Sequence, residues 1–351
     1  MNVFLIALIA VTLISARPCL RSFNIPGYID RAATTRINGI FILIVFYAHA
    51  RTYIPLNMRW DGWMYTVATS LGQLMVALFL FYSGYGVMES IKHKPGYVRS
   101  MPAKRIGVTL ANFAIAVTLF LGVDLALGIE IDPARALLAF FGWSSVGNSN
   151  WYIFAILVLY ALSCLSFWVL RRHPRLALAA MFALTILFTV FMLFAKGSRA
   201  AYSYNTVLCY PVGMLYSMYK PQFERFYTKN STYLLALIVS CCAFVALRNY
   251  FSAGYMVYEL YAAVYCLIAV QVTLKLEVRS RILHWCGKNL FWIYVLQRLP
   301  MLVMREFGFN EAHPYWFVII SFGVTVALTA VMARVSAPLD ARIAALGSTK
   351  K

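Results

Sequence analysis

The sequence predicts an all-α, polytopic membrane helix bundle, with about ten core transmembrane helices and one short N-terminal helix. Three observations predict it. Of 351 residues, 62% are hydrophobic and only 12% are charged. That is roughly half the charged share of a soluble globular chain, and the mean hydropathy is +0.73. Apolar runs close to the ~20 residues that cross a bilayer as a helix follow one another almost without pause. Finally, the few charges are lopsided, 31 Lys+Arg against 12 Asp+Glu, a formal net charge of +19, and they gather in alternate loops. The composition excludes a soluble enzyme and a disordered chain. On a soluble protein such a charge would suggest DNA or RNA; here it lies between hydrophobic runs, so the expected partner is a lipid bilayer and not nucleic acid.

The first apolar run, 3–16, is short and has no basic residue before it and no A-x-A cleavage pattern after it, so it reads as a retained helix rather than a signal peptide. The ten core runs are 37–54, 67–88, 106–127, 151–170, 176–195, 202–219, 233–247, 255–274, 283–304 and 315–333. The longest connections, 16–36, 90–105 and 128–150, leave no room for a soluble domain. The chain therefore divides into an N-terminal helix and basic linker (1–30), a membrane domain (31–335) and a short tail (336–351). No 20–50-residue repeat is visible. The seven cysteines show no CxxC and no zinc spacing, so no metal is expected, and most read as small buried hydrophobes.

Charge placement orients the bundle. One set of loops holds 22 of the 31 cations, the alternate set holds seven, and Lys288 and Arg298 lie within a run. The positive-inside rule puts the 22 in the cytoplasm. The C-terminus is then cytoplasmic, and the N-terminus is outside if the first helix spans.

An ionisable group inside a membrane run is a functional hypothesis by default, because it is costly to insert. At about 1.5 Å per residue, His49 lies roughly 20 Å above Arg36, and Arg298 lies at a similar height above residue 283. Asp124 is near the outer end of its run and Glu259 near the outer start of its own. His49, Asp124, Glu259 and Arg298 therefore fall in one layer toward the outer leaflet, where Asn150 and Trp151 also enter. Either these groups only tie the bundle together by ion pairs, or they form a site. On the cytoplasmic side the densest basic cluster is Lys92-His93-Lys94, Arg99 and Lys104-Arg105. It reads either as stop-transfer charge or as a site for a polyanion, since clustered cations match phosphates.

Four stretches taken together carry a resemblance. Residues 34–49 run from Thr34-Thr35-Arg36-Ile37-Asn38-Gly39 through an apolar segment to Tyr47-Ala48-His49. Residues 78–86 read Leu78-Phe79-Leu80-Phe81-Tyr82-Ser83-Gly84-Tyr85-Gly86 and lead into the basic loop ending Lys104-Arg105-Ile106. Residues 150–152 are Asn150-Trp151-Tyr152, and residues 283–296 hold Trp285-Cys286-Gly287-Lys288-Asn289-Leu290-Phe291-Trp292-Ile293-Tyr294-Val295-Leu296. In this order, across about residues 30–335, they resemble the acyltransferase-3 family of integral-membrane O-acyltransferases of surface glycans. Three positions depart from that pattern. Asn38 stands in place of the signature cation, with Arg36 the nearest basic residue. Val108 stands where a second Arg of the inner loop is expected. Gln297-Arg298 replaces a His after the Ile-Tyr-Leu-like segment.

The resemblance implies an acyltransferase that moves an acyl group, acetyl being that family's commonest choice, from cytoplasmic acyl-CoA to a hydroxyl of a cell-surface or lipid-linked glycan at the outer face of a bacterial cytoplasmic membrane. It implies His49 as general base or, alternatively, as transient acyl carrier. Arg298 then neutralises the oxyanion or orients the acceptor, and Glu259 or Asp124 holds the imidazole tautomer. Arg36, Ser83, Gly84, Tyr85, Lys92, Arg99, Lys104 and Arg105 are the expected donor-binding residues, with Gly84 and Gly86 letting a thin pantetheine arm pass close to backbone. Arg51, Asn150 and Trp151 are the expected acceptor contacts. The main rival is a multi-pass transporter of a glycan precursor or small organic acid, using the same polar layer. A structural membrane subunit is a third reading.

Overall fold

The computed structural model describes residues 1–19, 24–250, 252 and 254–347. Arg21, Lys350 and Lys351, counted above on the basic side, lie outside these residues. The chain is almost entirely helical. It opens with α1 (Asn2–Ile14) and β1 (Ala16–Pro18), followed by α2 (Arg31–Ala50), α3 (Met58–Leu71), α4 (Leu74–His93) and α5 (Tyr97–Met101). A π-helical turn (Pro102–Gly107) leads into α6 (Val108–Ala126); then come α7 (Pro133–Ala139), α8 (Trp151–Val169), α9 (Pro174–Lys196), a 3₁₀ turn (Ser198–Ser203), α10 (Cys209–Met218) and α11 (Lys220–Phe226). The last third holds α12 (Asn230–Tyr250), α13 (Tyr255–Lys275), β2 (Leu276–Val278), α14 (Arg281–Lys288), α15 (Leu290–Leu296), α16 (Arg298–Glu306), α17 (Phe309–Ala312), α18 (Pro314–Val335) and α19 (Ala337–Leu346).

Among the described residues, eight helices are long and apolar enough to cross a membrane: α2, α4, the run through α5 and α6 (Tyr97–Ala126), α8, α9, α12, α13 and α18. The remaining two expected spans, 202–219 and 283–304, are built from shorter pieces. Residues 202–219 become turns followed by the ten-residue α10. Residues 283–304 become α14, α15 and α16, with the backbone leaving helical geometry at Asn289 (φ −102°, ψ 19°). Run 67–88 also begins later than its apolar residues suggest. Gly72 adopts φ +48°, which ends α3 and starts α4 at Leu74. Broken helices at membrane depth are tolerated where the backbone is enclosed by protein or lines a cavity, and both kinds of surroundings recur at the site below.

Two of the basic loops are joined at one end of the bundle. β1 pairs antiparallel with β2, Ala16 opposite Val278 and Pro18 opposite Leu276, so the linker after α1 is clipped to the loop after α13. Glu277 in β2 receives Arg279 at 2.7 Å and Arg36 at 3.5 Å. Asp61 is buried and takes the N-terminal ammonium at 2.8 Å, which ties the start of α1 to α3. Of the cysteines, Cys209, Cys266 and Cys286 are buried as expected, whereas Cys241 and Cys242 are exposed on α12, a helix with no buried residue at all.

Glycines set how closely the central helices approach. Membrane helices gain little from hydrophobicity against each other and associate through small residues that let backbones touch. A Cβ added at Gly39 would stand 1.9 Å from the carbonyl oxygen of Leu283, and one at Gly287 would stand 1.7 Å from that of Thr35. The same interlock joins α4 and α10, Gly84 against the Tyr210 carbonyl (1.9 Å) and Gly213 against that of Phe81 (2.0 Å).

Candidate active site

Helical periodicity aims two helices at a common shaft. On α2, Arg31, Thr34 and Asn38 share one side at spacings of three and four residues, and all three line a cavity of ≈ 860 Å³. His49 lies 18 residues, five turns, beyond Arg31 and therefore on the same side. On α4 the cavity residues Phe79, Tyr82, Ser83, Gly86, Glu89, Ser90 and His93 form the matching stripe. The cavity opens at the basic end, where Lys94, Lys104, Arg105 and Lys220 join the lining, and closes inside the bundle at Tyr152 and Leu290. Its volume is that of a ligand pocket.

From the closed end an aromatic relay continues to the histidine. The Tyr152 ring lies 5.5 Å from that of Tyr294, and the Tyr294 ring lies 6.2 Å from that of His49. Gln297 and Arg298 are the groups that face His49. Register explains their height. Gly39 and Gly287 are in contact, and ten residues of rise, about 15 Å, lead from Gly39 to His49 and from Gly287 to Gln297. Gln297 is fully buried; its amide Nε2 donates to the Tyr294 carbonyl at 3.0 Å. Buried side-chain atoms nearly always find partners. Here His49 Nδ1, Tyr294 Oη, Gln297 Oε1 and Arg298 Nε are all enclosed with no partner in full hydrogen-bond geometry. Gln297 is the hydrogen-bonding neighbour of His49 and the Tyr152 backbone that of Tyr294, so this enclosed level is polar and only loosely satisfied.

Several sequence-predicted residues stand elsewhere. Neither expected carboxylate faces His49. Glu259 is buried and accepts from the Leu208 backbone N–H at 3.1 and 3.2 Å, satisfying an N–H at the start of α10. Asp124 has Arg135 and Glu306 as its charged neighbours and lines a different pocket with residues 128–131. Depth along a helix carries no information about which side of it a residue occupies. Gly84 is not a passage for a donor arm, because the α10 backbone fills the space beside it. Gly86 has nothing within 4 Å and does line the cavity. Arg36 is about 160–200° round the helix from Thr34 and Asn38; it pairs with Glu277 and lines a separate pocket. Lys92 is held by Glu89 at 2.7 Å and by the Ser217 carbonyl at 2.8 Å, and Arg99 is exposed outside the cavity.

Ser83, Tyr85, Lys104 and Arg105 do line the cavity. Ser83 Oγ meets the Tyr160 hydroxyl at 2.9 Å, and Arg105 Nε donates to the Tyr97 hydroxyl at 2.9 Å. At the far end, Arg51 donates to Thr69 at 3.0 Å. Asn150 spends both amide protons on the carbonyls of Gly142 and Ser144, folding the loop before α8. Trp151 packs against Tyr152 and Tyr202. Sequence reasoning missed Arg31, Thr34, Asn38, Tyr152, Tyr294, Gln297 and Lys220 as lining or facing groups. The α2 trio was findable from its spacing with His49, whereas Lys220 carries no local signal.

A bundle of membrane-length helices around an internal cavity, with cations at its mouth and a closed end at Tyr152 and Leu290, defines a multi-pass membrane protein. A family model described as an acyltransferase domain matches residues 37–334, and the chain belongs to that acyltransferase family. No curated protein and no solved structure matches it.

Proposed function

We propose that the protein transfers an acyl group, acetyl in the simplest case, from cytoplasmic acyl-CoA to a hydroxyl of a surface or lipid-linked glycan at the outer face of a bacterial cytoplasmic membrane. The observation that supports this reading is the alignment of the cavity with the aromatic contacts that lead from its closed end to His49. Cations gather at the cavity mouth. Arg31, Lys94, Lys104, Arg105 and Lys220 suit the phosphates of CoA. The narrow interior lined by Ser83, Gly86 and Asn38 suits the arm that carries the thioester. The basic end is then cytoplasmic, in keeping with the positive-inside rule, and the tail after α18 lies on that side.

His49 acts as general base. Its imidazole takes the proton of the acceptor hydroxyl as that oxygen bonds to the thioester carbonyl carbon. The tetrahedral oxyanion is neutralised by the Arg298 guanidinium. On collapse the carbon–sulfur bond breaks, the electron pair leaves on sulfur, and the imidazolium returns its proton to the CoA thiolate. Gln297, anchored by its bond to the Tyr294 carbonyl, takes the imidazole-orienting role for which the sequence offered Glu259 or Asp124.

The test is glycan mass analysis of a strain lacking the protein and complemented with His49→Ala. The expected result is the loss of one ester mass from an otherwise complete glycan, with the variant present in the membrane at normal level. Retained ester in His49→Ala overturns the base assignment. Loss of the whole glycan points to a transporter and overturns the transfer reaction.

A further inference from the structure

A second polar site lies on the flank of the bundle, away from the shaft. Val108, Asn112, Trp285, Lys288, Phe291, Trp292, Arg334 and Asp340 are among the residues lining a groove of ≈ 560 Å³ at the basic end, between the start of α6, the junction of α14 with α15, and the turn from α18 into α19. Its position corresponds to the boundary between hydrocarbon and water. Gly287, next to Lys288, touches α2 at Thr35, just inside that end, and Trp285 and Trp292 are residues of the kind that favour this level.

The groove holds both halves of a charge pattern. Lys288 and Arg334 are exposed, and neither forms an ion pair or hydrogen bond among the described residues. Asn112 is 6% exposed; its Nδ2 donates to Asp340 at 2.8 Å, which leaves its Oδ1 buried with no donor. The groove therefore presents two uncommitted cations beside the Asp340 carboxylate, and its lining includes Asn112, whose enclosed Oδ1 has no donor. A phosphate alone satisfies the cations and leaves Asn112 Oδ1 unpaired. A phosphocholine head has no N–H to give. A head carrying both a phosphate and an ammonium matches every group.

We propose that this groove seats a phospholipid of the ethanolamine type, its phosphate between Lys288 and Arg334, its ammonium at Asn112 and Asp340, and its upper chains along Trp285 and Phe291. The site is independent of the acyl-transfer reading.

Quenching of tryptophan emission tests it. The purified protein is placed in phosphatidylcholine nanodiscs, and brominated-chain phosphatidylethanolamine is titrated in and compared with brominated phosphatidylcholine. The expected result is quenching at about tenfold lower mole fraction of the ethanolamine lipid, equivalent to about 1.4 kcal/mol. That preference disappears in Lys288→Ala/Arg334→Ala, falls in Asn112→Ala, and is not seen in Trp285→Phe/Trp292→Phe. Equal quenching by the two lipids overturns the proposal, as does a preference that survives either double variant. Equal quenching by brominated phosphatidylglycerol overturns the ethanolamine assignment. Displacement of the ethanolamine lipid by inorganic phosphate overturns the lipid assignment in favour of a free anion. The two cations are exposed, so their removal leaves the fold intact, and monodisperse elution of each variant verifies this.

Discussion

Replacing Gly287 by alanine tests the register that brings Gln297 and Arg298 level with His49. The added Cβ stands 1.7 Å from the Thr35 carbonyl oxygen, 2.8 Å from its carbon and 3.0 Å from the Gly39 nitrogen. All three atoms are backbone, so no side chain can swing aside. Carbon and oxygen need roughly 3.2 Å or more between them, and relief means moving α14 away from α2 by about 1.5 Å. The helical pieces after α14 follow it, and Gln297 and Arg298 shift against a His49 that stays on α2. A displacement near 1 Å at reacting groups can cost about 10²-fold in rate, and overpacking of this kind costs about 1–3 kcal/mol of stability. The expected outcome for Gly287→Ala is a membrane-inserted protein with a lower unfolding temperature. Its ester transfer, read as ester per glycan in the complemented strain at limiting expression, falls roughly a hundredfold. A variant with normal unfolding temperature and normal ester would refute the claim that this contact sets the site. Gly323→Ala, at a position with nothing within 4 Å, serves as the unaffected control.

Three further outcomes are expected. Arg105→Gln raises the KM for acyl-CoA with little change in kcat, because Arg105 lines the shaft mouth, whereas Arg36→Ala leaves both unchanged, because Arg36 is committed to Glu277; initial rates against acyl-CoA separate them. Gly84→Ala lowers the unfolding temperature by forcing α4 from α10, whereas Gly86→Ala keeps the fold and alters only donor affinity; thermal unfolding of the two side by side checks this. Glu277 is held below the ordinary carboxylate range, chiefly by the Arg279 hydrogen bond. A carboxyl lowered on folding stabilises the fold above its unfolded pKa of about 4.3 and loses that contribution as pH falls through its folded value. Unfolding temperature measured from neutral pH downward therefore drops less steeply below about pH 4.3 in Glu277→Gln than in the parent.

Helix and bundle were legible in the residues because hydrocarbon leaves a backbone few choices. Long apolar runs must be helices, and cation placement sorts their ends. His49 stands out as a candidate in the residues alone, since an ionisable group in such a run is costly to insert. Orientation around each axis was only half legible. The α2 spacing of Arg31, Thr34, Asn38 and His49 contains it, and the same spacing turns Arg36 away. The α4 stripe likewise contains Gly86 and omits Gly84. Depth placed Asp124 and Glu259 beside His49, yet depth constrains one coordinate and a contact requires three.

By itself the sequence determined the all-α membrane class, the positions of most spans, the basic face and the acyltransferase kinship, since each follows from solvent, charge or local motif. Only the tertiary structure decided which cations face one shaft, that Gln297 rather than a carboxylate stands at His49, and that runs 202–219 and 283–304 are built of short pieces. Those facts depend on backbones brought into contact at Gly39 with Gly287 and at Gly84 with Gly213. Such contacts join residues more than a hundred positions apart, and no local pattern in the chain encodes which glycine will meet which carbonyl.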